Sequence, residues 1–141
     1  MMDFTQKLCD FAAEVLGRPY VRPNTVCMAL AFRGLDAATG KTLYADHQQH
    51  FKSAAAMRRF LGDDGLDGLI EYLGTVGFVE VPVTQMQVGD IGFTGQPPFG
   101  IGAALLVGSR LLTAHPDTGV VLYSLSDVPF VRAVRLNRFE S

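Results

Sequence analysis

The amino-acid sequence predicts an α+β fold in which N-terminal helices pack on a C-terminal antiparallel β-sheet. Apolar residues recur at helical spacing through the first half of the chain. After Gly77 the pattern changes to short runs rich in β-branched residues, separated by residues typical of turns. The length suits one hydrophobic core and no internal repeat is present, so we expect a single domain over residues 1–141.

The first two helices have recognisable ends. Asp3 is a suitable N-cap for the first helix, and Gly17 is a suitable stop. A connector with two prolines follows, and Asn24 or Thr25 can cap the second helix. We expect the second helix to run to about Gly40 and to present one apolar face to the core.

Three segments complete the helical half. The polar stretch "KTLYADHQQH" is interpreted as a loop. The stretch "SAAAMRRFLG" predicts a short helix with Ser53 as its cap. In "DDGLDGLIEYLGTVG" the large apolar residues fall on one side of a further helix.

The second half predicts six short strands joined by turns. Two connections are rich in Gly and Pro or Asp, namely "TGQPPFG" and "HPDTG". The strands are "FVEV", "GDIGFT", "IGAALLVG", "RLLTAH", "GVVLYSL" and "VRAVRL".

Composition excludes several classes of protein. With 48% hydrophobic and 18% charged residues, the chain should fold around a core. Twelve basic and fourteen acidic residues give a net charge of −2, which disfavours a nucleic-acid surface. We expect neither a signal peptide nor a membrane span, because no basic leader or long apolar run is present. Two cysteines are too few for a disulfide framework, which favours a reducing compartment.

Cys27 is the first candidate for chemistry. It lies at the predicted start of the second helix, where backbone N–H groups and the helix dipole favour a thiolate. A nucleophilic thiol also needs a histidine base and a group that orients this base. The alternative is that Cys27 is a small buried side chain that packs the helix on the sheet. Cys9 lies inside the first helix and is interpreted as a packing residue.

The three histidines offer two further hypotheses. His47 and His50 are three residues apart and could bind a metal on one helical face, but a solvated loop without a metal is favoured. His115 ends a predicted strand, where it could meet a helix-borne cysteine or simply enter a loop. The glycine-rich stretch before the third strand leads into no helix, so no phosphate site and no cofactor is expected.

Several stretches together resemble a known family. "GRPYVRPNTVCMALAF" resembles the opening of the papain-like NlpC-type cysteine peptidases and amidases, and more closely a branch found in tailed phages and prophages. "VGDIGF" resembles the strand that opens the sheet of this family. "IGAALLVGSRLLTAHPDTGVVLYSL" resembles the strand pair that carries the catalytic histidine and its polar partner. The resemblance covers roughly residues 9 to 136 and implies a papain-like NlpC-type fold.

The match at the N-terminal motif is partial. Residues 17–20 match its Gly-Arg-Pro-aromatic step, and Cys27 falls at the nucleophile position. The Trp-Gly step of the family is replaced by Arg22 and Pro23, and its aspartate by Val26.

The histidine positions also depart from the family. Counting back from Gly108, the catalytic histidine position is Gly102, and the orienting residue falls near Ala114. His115 is one residue beyond Ala114, so the resemblance allows it only as a displaced base or orienting group. Because a slip of one residue on a strand turns a side chain to the other face, His115 could face Cys27 or point away.

The resemblance and its gaps imply a catalytically impaired domain. We expect a structural or adaptor component of a phage or phage-like tail, near the tip or baseplate, made in the cytoplasm of the bacterial host. Its partners would be other tail proteins. An alternative is an active cysteine amidase or endopeptidase that cleaves peptidoglycan during cell entry. A third reading is a binding module that keeps the groove for a peptide or glycan.

Overall fold

The computed structural model describes residues 3–22, 25–61, 65–95 and 102–137. In these parts five α-helices precede six β-strands, which confirms the predicted α+β class. The helices are α1 (Phe4–Val15), α2 (Cys27–Thr39), α3 (Leu43–His47), α4 (Ala54–Leu61) and α5 (Gly65–Val76). The strands are β1 (Phe78–Val81), β2 (Ile91–Thr94), β3 (Gly102–Leu106), β4 (Arg110–His115), β5 (Gly119–Ser124) and β6 (Arg132–Leu136).

The strands form one sheet in the order β1-β6-β2-β3-β4-β5, and every neighbouring pair is antiparallel. The predicted strands are all present, with ends that differ by one or two residues. Ile91 at the centre of the sheet pairs with Leu105 on one side and with Val134 on the other. The predicted "TGQPPFG" connection, apart from its first two residues, lies outside the described residues.

Helix α2 is the centre of the helical layer. Its side chains pack on α1, β3 and β4, and Leu30, Phe32 and Leu35 are almost fully buried. Gly34 allows α2 to approach β3 closely, because a Cβ atom at this position would lie 2.6 Å from the Leu105 side chain. The core between α2 and the sheet therefore determines where the first residue of α2 lies.

The predicted N-cap of α1 is confirmed, whereas the predicted cap of α2 is wrong. The Asp3 carboxylate accepts a hydrogen bond from the backbone of Gln6 at 2.7 Å, as an N-cap does. The N-cap of α2 is Val26, which offers no side-chain cap. Thr25 instead accepts from Val21 N at 2.6 Å and donates to the Pro19 carbonyl at 2.7 Å. Asn24, the other predicted cap, lies outside the described residues.

The interpretation of residues 41–50 as a loop is wrong. They contain α3, which leads into a 3₁₀ turn at Gln48–Phe51. The cap of α3 comes from α2, where the Asp36 carboxylate accepts from Leu43 N at 2.7 Å and Tyr44 N at 2.9 Å. Phe51 is fully buried against Phe32 and anchors the turn. A cap seven residues away is not a local sequence signal, which explains the error.

The sheet has a second, smaller apolar face. Ala104, Leu106 and Leu111 are buried on the side away from α2. They are covered by Met86 before β2, by Tyr123 of β5 and by Val128 and Phe130 after β5. The 124–131 segment therefore lies over this face of the sheet.

The two remaining helices are predicted correctly. The Ser53 hydroxyl accepts from Ala56 N at 3.0 Å at the start of α4, and α5 follows at Gly65–Val76. In the described parts of the chain, no helix is both long and apolar enough to cross a bilayer.

Candidate functional site

A cleft of about 660 Å³ opens beside the first residue of α2. Tyr20 and Cys27 form one end of its lining. The end of β2, the start of β3 and the end of β4 contribute further lining, and the segment before β6 closes the other side. Most of these residues are apolar or small, and Asp127 is the charged residue among them.

The cleft lies where β3 and β4 separate. The ladder between them consists of two residue pairs, Leu105 with Leu112 and Leu106 with Leu111. Beyond the ladder, the Thr113 hydroxyl donates to the Ala103 carbonyl at 2.8 Å, which satisfies a backbone group that has no strand partner. The cleft is lined here by residues of both faces of the sheet, Ala103 and Ala114 on the helical side and Ala104 on the other.

The wall that carries Tyr20 is built by docking the 17–22 segment on the free edge of β5. Gly17 N donates to the Val120 carbonyl at 3.0 Å, and Val120 N donates to the Arg18 carbonyl at 2.9 Å. Gly119 has a φ of +76°, and a Cβ atom there would collide with the Arg18 carbonyl oxygen. Only glycine combines this conformation with this contact.

Cys27 is half-buried at the start of α2, next to β3. Burial raises the pKa of its thiol. Hydrogen bonds from the backbone of Ala103, Met28 and Cys27 itself, together with the charge of Arg22, lower the pKa by less. The helix N-terminus is present as expected, but it does not outweigh desolvation, so the thiol stays protonated at neutral pH.

The structure places His115 in the same cleft as Cys27 but on the other face of β4. Ala114 packs in the core beneath α2, whereas Leu111 belongs to the second apolar face with Tyr123. By strand alternation His115 shares the face of Leu111. Its ring contacts Tyr123 at a centroid distance of 5.9 Å. Among the described contacts, no hydrogen bond joins His115 to Cys27.

Gly102 and Ala114, where the sequence resemblance predicts the histidine and orienting positions, also line the cleft. Gly102 pairs with Thr94 across β2 and β3, on the face away from α2. Among the cleft residues of β3 and β4, Ala103 and Ala114 are those that belong to the core beneath the helical layer. The side chains nearest to α2 at this site are therefore methyl groups, which can neither accept nor donate a proton.

His47 and His50 are packed against aromatic side chains of α4 and α5 and do not lie in a solvated loop. The hydroxyl of Tyr72 is 2.6 Å from His47 Nδ1, and the His50 ring stacks on Phe60 at a centroid distance of 4.0 Å. Both residues are half-buried, so the solvated-loop interpretation is wrong. In residues 3–22, 25–61, 65–95 and 102–137, no group of three metal-ligating side chains converges.

Cys9 is exposed on α1, which corrects its interpretation as a buried packing residue. Its thiol donates to the Val107 carbonyl at 2.8 Å. The contact links α1 to the residue after β3, far along the chain from Cys27.

The cleft contains residues that the sequence analysis did not single out. Tyr123, Asp127 and Phe130 line it from the end of β5 and the segment that follows. No local motif marks these residues, because their placement depends on the segment that crosses the second face of the sheet.

Comparisons with known proteins agree with this architecture. A solved structure described as "Crystal structure of NlpC/p60 domain of peptidoglycan hydrolase SagA" is similar to this chain with a TM-score of 0.57 and 19% sequence identity. The match covers 94% of this chain and 98% of that chain. The fold is therefore NlpC/p60-like. The chain itself belongs to the family described as "Domain of unknown function (DUF6950)", which matches residues 1–134. The comparison with curated proteins gave no match.

Proposed function

We propose that this chain is a catalytically impaired NlpC/p60-like domain that acts by binding, as a structural or adaptor component of a phage or phage-like tail. One observation carries the first half of the proposal. Methyl groups of Ala103 and Ala114 occupy the helix-facing positions beside Cys27, where a base and its orienting partner would be needed. His115 is on the other face of β4, and His47 and His50 belong to a cluster with α5.

The consequence for catalysis follows from how a thiol and its base cooperate. A cysteine nucleophile reacts as the thiolate, which an adjacent imidazole normally generates. When the members of such a unit are removed singly, the loss is about as large as when all are removed. A protonated, half-buried Cys27 without a facing base is therefore a poor nucleophile.

The assignment to a tail is supported by the sequence resemblance. The segment from Gly17 to Cys27 and the β3–β4 region resemble the phage and prophage branch of the NlpC-type family. We propose a place at the tail tip, hub or baseplate, with other tail proteins as partners. The protein would be made in the cytoplasm of the bacterial host and would act in the virion.

Hydrolysis of peptidoglycan is the first test. Wild-type protein and the Cys27→Ala variant are incubated with purified sacculi and muropeptides, and soluble fragments are quantified by chromatography. We expect both proteins to match the buffer control, while an active NlpC/p60 hydrolase serves as a positive control. Release of fragments by the wild type that disappears in Cys27→Ala would overturn the catalytic part of the proposal.

Particle assembly tests the second part. The gene is deleted in a host that produces the particles, and tails are examined by negative-stain electron microscopy. We expect incomplete tails that a plasmid copy of wild-type protein restores, and that Cys27→Ala restores equally. Normal, infectious tails without the protein would contradict a structural role.

An active peptidoglycan amidase or endopeptidase is the second candidate. The observation that favours it is the position of Cys27 at the start of α2, because backbone N–H groups of Cys27 and Met28 there could stabilise an oxyanion. His115 in the same cleft would be a displaced base. In that case His115→Ala would abolish fragment release as completely as Cys27→Ala.

A further inference from the structure

The cluster around His47 and His50 is separate from the cleft and has no part in the proposed function. It consists of His47, His50, Phe60 and Tyr72, and we call it the aromatic latch. It joins four elements, because His47 ends α3, His50 lies in the following 3₁₀ turn, Phe60 belongs to α4 and Tyr72 to α5. Helix α4 packs chiefly on that turn and on α5.

The rings make close and specific contacts. His50 stacks on Phe60 with centroids 4.0 Å apart and planes 15° apart. Tyr72 meets Phe60 edge to face at 4.7 Å and meets His50 at 6.0 Å. Phe60 thus links α4 to the other elements through a histidine ring on one side and a tyrosine ring on the other.

The two histidines differ in their hydrogen-bond partners. The Tyr72 hydroxyl lies 2.6 Å from Nδ1 of His47. The Asp36 carboxylate of α2 also interacts electrostatically with His47. Among the described residues, no carboxylate or carbonyl bonds to the ring nitrogens of His50. Its neighbouring titratable group is His47, with ring centroids 6.3 Å apart. Protonation of His50 therefore places a positive charge on a partly buried ring and gains no hydrogen bond.

Other charged groups of the packed elements do not compensate for this. Asp46 of α3 accepts a hydrogen bond from Thr42 at 3.0 Å. Arg59 of α4 and Glu71 of α5 are exposed. Stacking on Phe60 partly offsets the unfavourable free energy of protonating His50, since an imidazolium is attracted to an aromatic face. Burial and the charge of His47 nevertheless lower the pKa of His50 in the packed arrangement.

We propose that the aromatic latch is an acid-sensitive contact that holds α4 on the body of the protein near neutral pH and releases it in mild acid. The protonated imidazole of His50 is more stable in water than against Phe60. Release exposes His50 and restores its ordinary pKa of about 6.5, so the open form binds more protons. Opening is therefore favoured as the pH falls through about 6.5.

Hydrogen exchange on the full chain at pH 7.5 and pH 5.0 tests the proposal. The readout is the protection factor of α4 backbone amides divided by that of β6 amides. Protection factors already account for the intrinsic pH dependence of exchange, and the ratio removes changes in global stability. In the wild type we expect this ratio to fall at least about threefold at pH 5.0. His50→Phe keeps an aromatic ring against Phe60 but cannot titrate, so its ratio should stay constant. His115→Phe is the matched control and should respond as the wild type does.

Two outcomes would overturn the proposal. One is a wild-type ratio that is equal at both pH values. The other is a fall in His50→Phe as large as that in the wild type, which would assign the response to Asp36 or another group. If His50→Phe does not fold, imidazole resonances of the wild type are titrated by NMR. The latch then requires that His50 and the α4 amides share one midpoint, and separate midpoints would refute it.

Discussion

At the scale of single residues, Cys27 illustrates how two opposing effects decide the state of a thiol. The start of α2 directs backbone N–H groups of Cys27 and Met28 at the sulfur, which favours the thiolate. Desolvation favours the thiol and is the larger effect, so the pKa of Cys27 is raised. A neighbouring imidazolium would lower the pKa of Cys27, but the β4 residue on the helix-facing side of the cleft is Ala114.

Alkylation of Cys27 by iodoacetamide measures this balance directly. The rate follows the thiolate fraction, so we expect it to stay low at neutral pH and to rise only above roughly pH 8.5, the usual thiol pKa. The experiment uses Cys9→Ala, in which Cys27 is the remaining cysteine, and mass spectrometry reads the adduct.

The Cys27→Ala variant is the matched control, because it reports the exposed Cys9 alone. Cys9 should react faster than Cys27 at every pH at which the protein is folded. A rate for Cys27 that reaches its plateau near neutral pH would show an activated thiol and would contradict the raised pKa.

At the scale of elements, α2 is positioned by close contact with α1 and β3. Gly34 faces the Leu105 and Phe11 side chains, and there is no space for a methyl group between them. Leu105 is fully buried, so it cannot move away without disturbing the core. The position of the cleft depends on this contact, because Cys27 begins the same helix.

Gly34→Ala should therefore destabilise the protein although alanine favours helices. We expect a loss of about 1 to 3 kcal/mol in the free energy of unfolding, because the new methyl group overpacks the α2–β3 contact. Urea denaturation followed by circular dichroism measures the change. Gly74→Ala, at an exposed position of α5, is the control, because nothing outside its own helix turn lies within 4 Å of the new Cβ. It should stabilise by about 0.5 to 1 kcal/mol. Equal effects at the two positions would contradict the packing argument.

At the scale of the whole molecule, Arg132 connects the helical layer to the edge of the sheet. From β6 its guanidinium bonds Glu80 of β1, with Nη2 2.9 Å from Oε1, and Asp67 of α5, with Nη1 2.5 Å from Oδ1. The Arg132 guanidinium holds the pKa of Glu80 below its ordinary value. One side chain thus joins three elements that are distant in sequence.

Arg132→Ala should weaken this connection by a modest amount. All three side chains are partly exposed, so we expect a loss of about 1 kcal/mol in the free energy of unfolding at low salt. The loss should shrink in 1 M NaCl, since the screening length there is about 3 Å. Arg110→Ala, at an exposed position, is the control and should change stability little. If Arg132→Ala lowers the free energy of unfolding equally at both salt concentrations, the side chain stabilises the protein through packing and not through its charge.

Much of the fold could be predicted because its signals are local. Helical spacing of apolar residues predicted α1, α2 and α5, and the capping residues Asp3 and Ser53 predicted the starts of α1 and α4. Short β-branched runs separated by turn residues predicted the strands. Helix α3 was missed because Asp36 caps it from another helix. The cap of α2 was misassigned because Thr25 bonds to the preceding turn instead. Local patterns fail wherever the partner of a polar group lies elsewhere in the chain.

The sequence by itself determined that the chain is α+β and that Cys27 begins a helix. Only the tertiary structure decided which face of β4 carries His115, because a strand presents alternate residues to opposite faces and a gap of one residue is invisible in the sequence. It also decided that β3 and β4 separate to open the cleft, and that His47 and His50 pack against rings of α4 and α5. These features arise from contacts between distant residues, which no local pattern records.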